Sequence, residues 1–76
     1  MKAAELVRRE VRDSAWSQRR LGMALGIGSS SMQDRMNAKN GLNCGFASRA
    51  LALLGWELVA VPMGSKLPPN AVRIDG

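Results

Sequence analysis

Ser29, Ser30, Gln33 and Asp34 follow one another at i, i+1, i+4 and i+5, a spacing that gathers them on one flank of a helix. Their side chains offer hydrogen bonds. Gln matches the N6 and N7 edge of adenine, Asp accepts from cytosine N4, and Ser takes either role. A second polar set lies on both sides of them, with Ser17 and Gln18 upstream and Lys39, Asn40 and Asn43 downstream. Bond-making chemistry has far less to work with. The chain has no His and no Tyr, and Cys44 is its single thiol, which excludes Cys/His zinc sites, Cys–His nucleophiles and disulfides within the chain. No carboxylate pair or activated nucleophile stands at a recognisable spacing, so the residues point to a binding protein with no cofactor and no metal rather than to an enzyme. Cys44 itself reads as a small apolar residue near a helix start.

Charge narrows the kind of partner. The 76 residues carry eleven Lys and Arg against six Asp and Glu, a formal charge of +5. Residues 1–37 hold seven basic and four acidic side chains, residues 38–55 add Lys39 and Arg49, and residues 56–76 balance two against two. All of the excess lies in the first 55 residues, which favours a polyanionic partner there. No stretch approaches the roughly 18 apolar residues of a membrane span. The expectation is a cytoplasmic protein without membrane contact. A single domain this short buries only roughly 60% of the surface its unfolded chain exposes, so a second copy is expected to add stability as a homodimer.

The elements that must position these residues follow from periodicity and punctuation. Leu6, Val7 and Val11 among charges predict a first amphipathic helix from Ala3 to about Asp13. Ser17 stands at an N-cap position with Trp16 before it and Leu21 four residues after it, the spacing of a hydrophobic staple, so a second helix should run from Gln18 to Leu25. Gly26-Ile27-Gly28 ends it. A third helix, Ser29 to Asn37, places Met32 and Met36 on its inner face, and a turn-rich stretch from Asn37 to Asn43 follows. Phe46, Ala47, Ala50, Leu51 and Leu54 fall at helical spacing in a fourth helix from Cys44 to Leu54, stopped by Gly55. Trp56–Val61 and Ala71–Ile74 then change to strand-like composition and predict a short C-terminal β-hairpin or strand.

Two short helices joined by a Gly-containing turn on a basic chain form a helix-turn-helix pattern. The segment from Ser17 to Met32 (SQRRLGMALGIGSSSM) resembles the helix-turn-helix of the phage Cro and CI repressors and their bacterial relatives. The stretch through Leu54-Gly55-Trp56-Glu57-Leu58-Val59-Ala60-Val61-Pro62 is similar to the ending of small regulators and DNA-binding antitoxins of that family, so the likeness covers roughly residues 14–62. It implies a mainly α, four-helix lambda-repressor-like domain over residues 1–55, with residues 56–76 as a β segment for dimerisation. Gly22 falls where the family usually has Ala, at a close crossing of the two helices. Arg20 stands where an acidic or amide residue would complete a capping box, and Arg35 occupies a position that is usually apolar or aromatic.

The function implied is a sequence-specific double-stranded DNA-binding repressor, from a phage or other mobile element. Ser29, Ser30, Gln33 and Asp34 would read bases, while Ser17, Gln18, Lys39, Asn40 and Asn43 would hold phosphates. Trp56, Leu58, Val59 and Val61 are expected at the dimer interface, because five of the six side chains in Trp56–Val61 are apolar and both faces want cover. Each site also has a plainer reading: Ser29–Ser31 as helix-start caps, Asp34 in a surface pair with Arg35 or Arg49, and Arg8, Arg9 and Arg12 as a solvated face. A different class of function also remains open, in which the same scaffold binds and inhibits a protein such as a toxin or a host nuclease, docked through Gly64–Gly76.

Overall fold

The computed structural model describes residues 1–75. Four helices form: α1 (Ala3–Arg12), α2 (Gln18–Ala24), α3 (Ser29–Met36) and α4 (Cys44–Leu53). Each begins at its predicted start, and each is shorter at its C-terminal end by one residue. The architecture is mainly helical. α1 buries Ala3, Ala4, Leu6 and Val7 and carries Glu5 in its first turn and Arg9 and Arg12 in its last, the charge order that suits the helix dipole. It packs on α4, while α2 packs on α3. One continuous cluster joins the two pairs, built from Ala4, Leu6, Val7, Leu21, Met32, Met36, Phe46, Ala50 and Leu51.

Local signals set the helix ends. Ser17 Oγ accepts from the Arg20 backbone N–H at 3.1 Å, satisfying one of the unpaired donors at the start of α2. At its far end Gly26 takes φ +79, which lets its own N–H reach Met23 O and the Ile27 N–H reach Gly22 O at 2.9 Å. α4 ends in the same way. Gly55 at φ +88 donates to Ala52 O, and the Trp56 N–H donates to Leu51 O at 2.8 Å.

The predicted β-hairpin does not form: no strand occurs among the described residues. Its two halves attach to other parts of the molecule instead of to each other. The Trp56 indole Nε1 donates to Glu10 Oε1 on α1 at 2.7 Å, and the Asp75 N–H donates to Met1 O at 3.0 Å. Trp56, Val72 and Ile74 are half-buried against the central cluster. Between the halves lies a turn region with Pro62, Pro68 and Pro69, three residues without a backbone donor, and bonds from Ser65 N to Pro62 O and from Ala71 N to Pro68 O close local turns there. An open cleft of about 500 Å³ separates the halves, floored by Leu6 and Leu51.

Deleting everything after Gly55 removes Trp56, Val72 and Ile74 from the core surface. Half-burial of three such side chains contributes about 1 kcal/mol each, and in a domain of this size each such step moves the thermal midpoint by roughly 4–8 °C. The truncated chain is expected to melt at least about 10 °C lower, followed by circular dichroism. An unchanged midpoint would show that the segment adds nothing to the helical core.

Candidate nucleic-acid interface

α3 is an eight-residue helix held from below and open above. Met32 and Met36 are buried, while Ser29, Ser30, Ser31, Gln33, Asp34 and Arg35 are exposed. Its seat against α2 is tight at one point. A methyl group added to Gly22 would stand 3.1 Å from Met32 Cβ and 3.3 Å from Met32 Cγ, so the two helices approach as closely as a missing side chain allows. Leu21, also fully buried, and the half-buried Leu25 and Ile27 complete the contact with the core. The hydrogen-bonding side chains Ser30, Gln33 and Asp34 therefore stand on one flank away from the methionines, and Ser29 is exposed at the edge of that flank in the first turn.

The phosphate candidates sit on three different pieces of chain. Ser17 is exposed at the N-cap of α2, and its hydroxyl proton remains free while its oxygen accepts from Arg20. Gln18 beside it is half-buried. Lys39 and Asn40 are exposed in the loop after α3, which turns at Gly41 with φ +78. Asn43 is engaged within the fold, where its Oδ1 accepts from the Gly45 N–H at 2.9 Å and the Phe46 N–H at 3.3 Å and so caps α4. Only its amide NH2 is left for a partner.

The arginines divide by what they touch. Arg35 lies with its guanidinium 4.9 Å from the centre of the Phe46 ring, and Arg20 lies 5.4 Å from that of Trp16 while donating to Ala15 O. Among the described residues Asp34 has an ion pair with neither Arg35 nor Arg49. Arg9 and Arg12 stay beside their sequence neighbours Glu10 and Asp13, each at 3.4 Å. Arg8 is exposed, as expected of a solvated face, but it also makes contacts. Its Nη2 donates to Met36 O at 2.9 Å and to Asn37 Oδ1 at 2.7 Å, tying α1 to the end of α3. Nothing in the local sequence marks that contact, since the partners are 28 and 29 residues away.

On the C-terminal segment, Trp56 and Leu58 are half-buried, whereas Val59 and Val61 are 63% and 49% exposed. No helix among the described residues is long and apolar enough to cross a membrane, and no three His, Cys, Asp or Glu side chains among them gather into a metal site. The chain matches no protein-family model, no curated protein sequence and no solved structure.

The Gly22–Met32 contact gives a direct test of how α3 is seated. Gly22→Ala gains helix propensity of up to about 1 kcal/mol, but Met32 Cβ is fixed to its backbone and cannot move aside alone, so the net change should be near zero. Gly22→Leu should destabilise by roughly 1–3 kcal/mol or more through overpacking. Chemical denaturation of both variants checks this. A Gly22→Leu protein as stable as the parent would place the crossing elsewhere.

Proposed function

We propose that this chain is a sequence-specific double-stranded DNA-binding regulator of repressor type, acting as a homodimer in the cytoplasm through a helix-turn-helix made of α2, the turn at Gly26 and α3. The observation that carries this reading is the seat of α3: a short helix locked by Met32 against Gly22, with Ser29, Ser30, Gln33 and Asp34 free on its open flank. Such a helix enters a major groove with its first turns against base edges. Gln33 and Asp34 supply the reading groups, and the two serines adapt to either donor or acceptor. Ser17, Gln18, Lys39 and Asn40 fix the orientation by holding phosphates, with the Asn43 amide beside them. The four helices, in the order and near the spans expected, support the mainly helical part of the domain implied by the resemblance of Ser17–Met32.

Dimerisation supplies what Trp56–Val61 lacks. Val59 and Val61 are exposed apolar side chains, and the backbone of Glu57–Val61 takes part in none of the backbone hydrogen bonds among the described residues. Paired with the same segment of a second copy, it becomes a β-strand, and the two α3 helices then face successive turns of a palindromic site. Sedimentation at micromolar concentration is expected to give a dimer; a monomer there would remove this interface.

A second reading is favoured by the neutral charge of residues 56–76 and the cleft of about 500 Å³ between their two halves: the C-terminal segment docks a protein such as a toxin or nuclease. Salt separates the two. DNA binding should weaken with log salt at a slope on the order of −0.9 per phosphate neutralised, several units for a dimer. On a site selected from random duplexes, Gln33→Ala should cost roughly 1–3 kcal/mol and little on a scrambled duplex, whereas Lys39→Ala should weaken both equally. A flat salt response would remove DNA as the target.

A further inference from the structure

We infer that the cleft between Glu57–Val61 and Ala71–Ile74 is a strand-binding site, and that its occupant is Glu57–Val61 of a second copy, each copy laying that segment into the cleft of the other. This deepens the dimer reading above and rests on it. There the segment pairs with its counterpart; here the counterpart is also held on its far side by Ala71–Ile74.

What borders the cleft is main chain without partners. The Met1 amine donates to Arg73 O at 3.2 Å, and the Asp75 N–H donates to Met1 O at 3.0 Å. Those two groups are two residues apart and meet one neighbour, so they share one edge of the segment. Val72 and Ile74 alternate with them and turn their N–H and C=O groups to the other edge. Neither takes part in a backbone hydrogen bond among the described residues, and neither does any residue of Glu57–Val61. Both runs line the same cleft. Two facing rows of open donors and acceptors select an extended backbone, because only a strand laid between them answers both at once.

Charge selects among strands. Glu57, Lys66 and Arg73 all line the cleft, and among the described residues none of them forms an ion pair. Two cations against one carboxylate, above a floor of Leu6 and Leu51, fit an apolar segment with a single acidic side chain. Glu57–Val61 is such a segment, with one Glu followed by Leu, Val, Ala and Val. Symmetry then closes the assembly. A two-fold axis between the two copies of Glu57–Val61 sets the strands in the order 72–74, the partner's 57–61, 57–61, and the partner's 72–74. Met1 already covers the outer edge of 72–74, so every long edge has a neighbour.

The test uses the full chain and two charge variants, Glu57→Lys and the double variant Lys66→Glu with Arg73→Glu, all at exposed side chains so that the melting midpoint of the helical body is held. Each variant alone places like charges together in the exchanged dimer and should dimerise about tenfold or more weakly by sedimentation equilibrium. An equal mixture should recover most of that loss as a heterodimer, since each strand then enters a cleft of opposite charge. Amide exchange in the parent should slow with concentration at Val72 and Ile74 as well as along Leu58–Val61. Parental affinity in each variant alone, or a mixture no tighter than its components, would overturn the exchange. Protection confined to alternate amides of Leu58–Val61, with Val72 and Ile74 unchanged, would show the two segments pairing outside the cleft; then only this inference fails. A parent that stays monomeric at every concentration would overturn the dimer reading as well and leave the cleft to a foreign strand.

Discussion

The close approach of α2 and α3 is the constraint on which the rest of the molecule depends, and it exists because position 22 has no side chain. Met32 stands in tight contact with the place a Cβ would take, its own Cβ lying 3.1 Å away, and its burial is complete. Once Met32 is fixed there, helical geometry leaves no freedom in what the opposite flank presents. Met36 follows one turn later into the same cluster, and the polar residues between them must point outward. The turn that makes the crossing possible is equally specified: Gly26 in the left-handed region returns the chain so that Ile27 bonds back to the carbonyl of Gly22 itself. The residue that admits α3 is thus also the residue that anchors the turn leading to it.

Several of the arginines behind the formal charge of +5 also fasten the fold while staying exposed and charged. Arg20 and Arg35 lie against aromatic rings, and Arg8 bonds to the end of α3. These contacts also explain how the chain accommodates side chains that are unusual for the family it resembles. Arg20 cannot close a capping box, but it covers Trp16 and bonds to Ala15 O at 3.2 Å. Arg35 stands at a customarily apolar place, and its planar guanidinium lies over Phe46 in part of the role of a ring.

What was legible in the sequence was what is decided within one or two helical turns. Ser17, Gly26 and Gly55 mark helix ends by local hydrogen bonding, and each does so in the structure. Met32 and Met36 declare an inner face by spacing alone. The hairpin failed for the opposite reason. Alternation in Trp56–Val61 shows that its faces want cover without saying what provides it, and the structure answers with Glu10, forty-six positions away. Arg8 was illegible in the same sense, since its sequence neighbours are charged and only the return of α3 gives it a partner. Asn43 has outward hydrogen-bonding chemistry by residue type, while its place just before Cys44 also marks a cap.

The bond between Trp56 and Glu10 has an optical consequence. The protein has two indoles and no tyrosine, so its intrinsic emission comes from two sites with different neighbours. Trp16 lies beside the guanidinium of Arg20 at the entry to α2, and Trp56 donates to a carboxylate on α1. Opposite charges beside the two rings shift their emission separately. The chain therefore carries two native fluorophores with different neighbours, one watching the approach to α2 and the other the fastening of the C-terminal segment.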